Sequence, residues 1–194
     1  MMKIAIIGAG NVGRALGEAW AKHGHEVVYG SRTAGMSIRD AVKIGDVVVL
    51  AVPWNAVPQA IHAAGDLHGR ILLDPTVPLL PDLSGIDPSV VPSAGETVAA
   101  LAPGAHVVKI FCTTGAGNMA NPDYNGEPAT MFYCSNDAAA KSVAGVLAID
   151  LGFDPVDAGA LNQSHVLETL GLLWVTLAYK QGLGTNIAFK LLRR

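Results

Sequence analysis

The sequence predicts an α/β fold: a doubly wound, mostly parallel sheet with an abbreviated first half and a small C-terminal extension ending in a long helix. Three observations predict it. Short, branched apolar runs at residues 3–7, 26–29, 46–52, 70–73, 106–111 and 129–134 have the look of strands buried on both faces. Stretches with apolar residues at helical spacing lie between most of them, the alternation expected of parallel strands. The first run leads straight into Gly8-Ala9-Gly10-Asn11-Val12-Gly13, and a helix opens inside the glycines with Val12, Ala15, Leu16, Ala19 and Trp20 on one side.

A strand before that glycine spacing, a helix within it and a strand after it form the Rossmann-type dinucleotide signature. Gly8 permits the tight turn, Gly10 lets a pyrophosphate approach the backbone, and Gly13 lets the helix sit close on the strand. Free N–H groups, Ala9 to Val12 among them, and the positive end of the helix dipole then face the phosphates. NAD-binding proteins carry an Asp or Glu about 20 residues past the glycines, at the end of the second strand, to hold the ribose 2′-hydroxyl. This chain has Ser31, Arg32 and Thr33 there. A fork-shaped cation flanked by hydroxyls suits a phosphate dianion. The expected cofactor is NADP.

Whole-chain numbers fit one unit. A chain of 194 residues is long enough for one domain with a substantial core and short for two. We expect a single NADP-binding domain over 1–194, with a nucleotide-binding core at about 1–135 and an αβα extension at about 136–194. Hydrophobic residues make up 51% and charged ones 15%, which favours strands covered on both faces. A net charge of −3 without a basic cluster argues against nucleic acid. The apolar run at the start meets glycines too soon for a signal peptide, and the longest apolar stretch, near 170–179, is too short to cross a bilayer. No membrane partner and a cytoplasmic setting are expected. Cys112 and Cys134 form neither a disulfide framework nor a metal motif, and no metal site is expected.

Residues 34–44 leave room only for a loop, a two- or three-residue strand near 36–38 and a turn or two of helix at 39–44, which is why the first half is abbreviated. The strand at 46–52 runs into Pro53-Trp54 and a helix at 55–64. The strand at 70–73 closes on Asp74-Pro75-Thr76, and prolines 75, 78, 81, 88 and 92 are too frequent for regular structure. A short helix at 95–101, a strand at 106–111 and a loop at 112–127 follow. After the strand at 129–134, Asn136 caps a helix at 137–151 that stops at Gly152. The brief strand at 153–156 contains Pro155 and belongs at an edge. Asn162 or Ser164 caps a helix to Lys180, with Val166, Leu167, Leu170, Leu173, Trp174 and Leu177 on one face. Its surplus of bulky apolar residues, Trp174 and Tyr179 included, points to a homodimer built on the C-terminal third. The segment at 184–194 carries Phe189 and is expected to dock on the body.

Ligands of an open parallel sheet sit outside the carboxyl ends of its strands. A dinucleotide laid there has its adenosine phosphate at Arg32 and its pyrophosphate at Gly10-Asn11-Val12. Its nicotinamide falls between Ala51-Val52-Pro53-Trp54, Asp74-Pro75-Thr76 and the Cys112 loop. No catalytic cluster stands out. The six histidines are scattered, and those near helix ends read as surface or capping residues rather than bases. Cys112 reads as a small buried residue, since nothing near it in sequence lowers its pKa.

Several motifs together resemble one family. Gly8-Ala9-Gly10-Asn11-Val12-Gly13, Tyr29-Gly30-Ser31-Arg32, Val52-Pro53-Trp54 and Pro155-Val156-Asp157-Ala158-Gly159-Ala160-Leu161 with Leu167-Glu168 are similar to the NADP-dependent reductases of the deazaflavin coenzyme F420. Val107-Val108-Lys109-Ile110-Phe111 with Thr113 resembles the nucleotide domain of the STEAP metalloreductases, of the same broader family. The resemblance implies that Ser31 and Arg32 grip the 2′-phosphate and that Pro53 and Ala116 line the nicotinamide. It also implies that the loop carrying Cys112, Thr113, Thr114, Gly115, Asn118 and Met119 faces a second, tricyclic cofactor. The chain departs from the family at Cys112, Thr114 and Gly115 and in a shorter insertion after the second strand. The expected function is an NADP-dependent oxidoreductase passing a hydride between NADPH and a small-molecule acceptor, coenzyme F420 or a flavin. Such chemistry runs on positioning and needs no acid or base at the reacting carbon. The alternatives are a non-catalytic NADP-binding regulator and a reductase of a small carbonyl or imine.

Overall fold

The computed structural model describes residues 1–32 and 35–194. Strand β1 (Lys3–Ile7) lies between β2 (Glu26–Gly30) and β3 (Val47–Leu50), followed outward by β4 (Ile71–Asp74) and β5 (His106–Lys109). These five pair in parallel. Two further strands complete the sheet: β8 (Thr130–Ser135) runs antiparallel to β5, and β9 (Asp154–Asp157) lies parallel to β8 at the edge. Among the described residues the order β2-β1-β3-β4-β5-β8-β9 has no strand outside β2, so the first half is abbreviated as expected. The chain returns through helix α2 (Ile38–Ile44) and crosses back to the other side of β1. That reversal is the topological switch point at which such sheets bind ligands.

Alternation along the central strands fills both faces. Ile4 and Ile6 face one core with α1 (Asn11–Lys22), while Ala5 and Ile7 face the other with α2, α3 (Val57–Ala64) and α4 (Ala94–Leu101). Trp20 of α1, fully buried, donates from its indole to Leu147 O at 2.9 Å in α6 (Ala138–Asp150) and meets the Phe111 ring edge-on at 5.7 Å. The short helix α5 (Ala116–Ala120) packs on α1. Helix α7 (Ser164–Val175) continues as one wider turn to Lys180 and packs on α4. Among the described residues no helix is long and apolar enough to cross a membrane.

Several local expectations change. No strand forms at 36–38, because Ser37 takes the N-cap of α2 and accepts from Asp40 N. α2 then packs so closely on β2 that a Cβ at Gly30 would lie 2.8 Å from Ile38 Cα. Asp137, not Asn136, caps α6, its carboxylate accepting from Ala140 N at 2.7 Å; Asn136 accepts from Leu161 N instead. Inside the loop at 112–127 a hairpin joins β6 (Asp123–Tyr124) to β7 (Glu127–Pro128). Asn125 and Gly126 turn it with φ of 59° and 90°, the left-handed pair of a type I′ turn. The buried side of α7 is Ser164, Leu167, Glu168, Gly171 and Trp174, whereas Val166 and Leu173 are exposed. The C-terminal segment docks as expected: Phe189 O accepts from Thr130 N at 2.9 Å, and Ile187 O accepts from Asn118 and Trp174 at 2.7 Å each.

Candidate functional site

The glycine turn sits at the switch point. Gly8 has φ of 103°, and its N–H donates to Gly30 O at 3.1 Å. A Cβ at Gly8 would collide with Ala51 O, and one at Gly13 with Gly8 O. Only glycine closes this turn. Gly10 differs, since a Cβ there would meet nothing within 4 Å. It is the N-cap of α1, no side chain caps that helix, and its first turn holds no acidic residue. The first N–H groups of a three-turn helix therefore open onto free space. This fits a pyrophosphate by hydrogen bonding and by dipole.

At the carboxyl end of β2, Gly8, Gly30, Ser31, Arg32, Val52, Pro53, Ala56 and Ala60 enclose a cavity of about 180 Å³. Arg32 Nη1 donates to Gln59 Oε1 at 2.8 Å, which holds the guanidinium at the rim. Ser31 N donates to Met36 O at 3.0 Å and ties the loop down. Thr33 lies outside the described residues.

On the other side of the glycine turn, Gly10, Asn11, Val12, Ala51, Val52, Pro53, Pro75 and Thr76 line a cavity of about 280 Å³. Through Val12, Val52, Pro53, Pro75 and Thr76 it joins a second one of about 230 Å³, walled by Trp54, Cys112, Thr114, Met119, Gly171 and Trp174. The structure thus brings Cys112, Thr114 and Met119 to the second cavity. The other loop residues serve its walls. Thr113 is buried, with its hydroxyl toward Met131 Sδ, and Asn118 is turned to the C-terminal segment. Gly115 backs onto Trp174, where a Cβ would collide with the indole, and Ala116 opens α5 outside the lining of both cavities. Ala9 stands at the turn itself, its carbonyl accepting from Arg14 Nε at 2.8 Å. Among the described residues, the ionisable side chains lining these three cavities are Arg32 and Cys112 alone, and no set of residues is arranged to hold a metal.

Below this floor lies a cluster that the reading of the strands passed over. Lys109 and Asp74 are fully buried and Glu168 is 2% exposed. Lys109 Nζ donates to Asp74 Oδ2 at 3.0 Å, to Glu168 Oε1 at 3.1 Å and to Thr76 O. Two carboxylates face one ammonium, and polar N–H and O–H groups balance the excess. Thr76 N and Oγ1 donate to Asp74 at 2.9 and 2.6 Å; Ala94 N and Gly95 N, at the start of α4, donate to Glu168 at 3.1 and 3.0 Å. Burial alone would lower the Lys109 ammonium's pKa, but the charges of Asp74 and Glu168 outweigh it and raise the pKa. The signal was in the sequence: a Lys and an Asp at the ends of otherwise apolar strands must be paired to be buried. Glu168, far along the chain, carried no such signal.

Burial pushes the Cys112 thiol up to about 12, with Lys109 pulling the other way, so it stays protonated at neutral pH and is a poor nucleophile. Burial likewise raises the Cys134 thiol. We expect iodoacetamide at neutral pH to leave both cysteines unmodified in the native protein and to alkylate both in urea, as read by intact mass. Alkylation of native Cys112 at the unfolded rate would overturn this assignment.

Comparison with known proteins places this site in a family. The family model for NADP oxidoreductases dependent on coenzyme F420 matches residues 3–38 and 29–78. A crystal structure of a proposed F420-dependent NADP reductase from Arthrobacter sp. FB24 superimposes with a TM-score of 0.89 at 31% identity, covering 100% of both chains. The F420-dependent NADP reductase of Methanocaldococcus jannaschii is 28% identical over 222 residues, covering 96% of this chain and 97% of that protein. Metalloreductase STEAP3 of Rattus norvegicus is 28% identical over 182 residues, and the chain spans 36% of its length. This chain, with its glycine turn at the switch point of a mostly parallel sheet, belongs to the family of coenzyme F420-dependent NADP oxidoreductases.

Proposed function

We propose that the chain passes a hydride between NADPH and a flat tricyclic acceptor, a deazaflavin of the coenzyme F420 kind first and a flavin second. One observation carries the reading: the cavity beyond the glycine turn shares its Val12, Val52, Pro53, Pro75 and Thr76 walls with a second one of comparable volume, about 280 against 230 Å³. Bound NADPH supplies the hydride. The chain's residues bind and orient. Arg32 with Ser31 and Thr33 takes the 2′-phosphate; the α1 N-terminus, from Gly10 to Val12, takes the pyrophosphate. Ala51, Val52, Pro53 and Trp54 hold the nicotinamide end, with Ala116 flanking. Val12, Met119 and Trp174 keep water away from the reacting rings. A cleft lined, among the described residues, by neither His, Lys nor carboxylate suits a transfer that moves no proton through the protein. A regulator that only sensed NADP would have no use for the second cavity, and the family's named reductases support catalysis. The domain is read as one unit over 1–194, its C-terminal part closing the acceptor end.

The test is a screen of purified protein for NADPH oxidation with deazaflavin, FMN, FAD and ferric chelate. Turnover with deazaflavin, and more slowly with a flavin, supports the proposal; turnover with none of the tricyclic rings refutes it. We further infer a homodimer through the outer side of α7, where Val166, Leu173 and Tyr179 stand 48%, 46% and 58% exposed. Light scattering should give twice the chain mass at micromolar concentration; a monomer contradicts the inference.

A further inference from the structure

We propose that Lys109 is a positioning residue for the nicotinamide end: by holding the Thr76 carbonyl inside the buried cluster it turns the Val77 N–H toward the cleft, as a donor to the nicotinamide carboxamide. The inference rests on the nucleotide site described above and assigns a role to groups that touch neither phosphate. A trans peptide is planar, so its carbonyl and N–H point to opposite sides. The Thr76 carbonyl accepts from Lys109 Nζ, on the protein side of the turn. The N–H of the same peptide unit belongs to Val77 and points the other way, to the side where Thr76 and Val77 line the cavity under Trp174. Among the described residues none accepts from that N–H. A donor at the cleft wall without a protein partner is a group a ligand can satisfy.

The turn has little freedom to rotate. Thr76 N and Oγ1 both donate to Asp74 Oδ1, at 2.9 and 2.6 Å, so the residue is held at its N–H and hydroxyl as well as at its carbonyl. Lys109 holds both Asp74 and the Thr76 carbonyl, and Glu168 anchors Lys109 in turn from α7 while bonded to the start of α4. Flipping the 76–77 peptide would remove one of the ammonium's acceptors at a site that no water reaches, since Lys109 is 0% exposed. The cluster therefore presets the donor before the nucleotide arrives, and preset donors bind at lower entropic cost.

The test compares two ligands in titrations on the intact chain: NADPH, and 2′-phospho-ADP-ribose, which has the adenosine phosphate and pyrophosphate but no nicotinamide. In Lys109→Met the affinity for NADPH should fall at least tenfold, while that for 2′-phospho-ADP-ribose stays within about twofold. Val77→Pro, which deletes the N–H and leaves the cluster intact, should give the same split and serves if Lys109→Met does not fold. A folded Val77→Pro with an unchanged ratio of the two affinities overturns the proposal, as does a parallel loss of both ligands. An unmodified chain that binds neither ligand fails the nucleotide site itself and takes this inference with it.

Discussion

Arg32→Asp should abolish the chain's preference for NADPH over NADH. The unmodified protein is expected to bind NADPH at least tenfold more tightly, a difference of about 1.4 kcal/mol or more. The expectation follows from what stands at the end of β2. No carboxylate is there to take a ribose 2′-hydroxyl, and Arg32 is steadied at the rim of the cavity beside β2 by its 2.8 Å bond to Gln59. The substitution removes the fork that pairs with a phosphate and puts a repelling charge in its place. An Asp in that position also restores the acid that NAD-binding proteins use, so NADH affinity should hold or rise while NADPH affinity falls. Because Arg32 sits at an exposed rim, the preference should weaken with added salt. Titration of both nucleotides against both proteins at two ionic strengths decides it. Equal dissociation constants in the unmodified protein would contradict the assignment.

Lys109→Met should cost more stability than a substitution of any cleft-lining residue. It leaves Asp74 and Glu168 buried with their compensating cation gone, and breaking a buried pair from one side costs about 3–5 kcal/mol. That is a large share of the 5–15 kcal/mol, roughly, that keeps a domain folded. Urea unfolding should show a lower midpoint with little change in slope. The pH dependence has a definite sign. The folded-state pKa of Lys109 is raised above its ordinary value. Its contribution is therefore complete below the unfolded value, near about 10.4, and is lost only as pH rises through the folded value. Stability should not depend on this group near neutrality. A Lys109→Met protein as stable as the parent would show that the cluster is not a structural pin.

The frame of the fold was legible because its signals are local. Alternation in Ile4 to Ile7, the spacing of Gly8, Gly10 and Gly13, and the missing acid beside Arg32 each lie within a few residues of sequence. The cleft's outer wall was harder to see. Trp174, Gly171 and Gly115 meet only because α7 folds back over the loop after β5, and the one-face reading of that helix chose Val166 and Leu173, which are exposed. Two signals were present and unused. Tyr124-Asn125-Gly126-Glu127 is a hairpin sequence, and it forms one. Lys109 at the end of an apolar strand announced a buried partner. Phe111, with φ of 63°, shows why β5 ends sooner than the apolar run suggested. The chain turns at Ile110 and Phe111 to send Cys112 and Thr114 to the cleft, and that turn is fixed by ring packing on Trp20 and Phe153.

The central claim is direct hydride transfer across the joined cavities, and stereospecifically deuterated NADPH tests it most directly. Each of the two C4-deuterated forms would be turned over with a deazaflavin acceptor, and the reduced acceptor analysed by mass spectrometry. Full transfer of deuterium from one form and none from the other is expected, because a nicotinamide seated against one wall of the cleft can offer only its opposite face to an acceptor in the second cavity. Turnover without label on the acceptor, or label arriving from both forms, would contradict it.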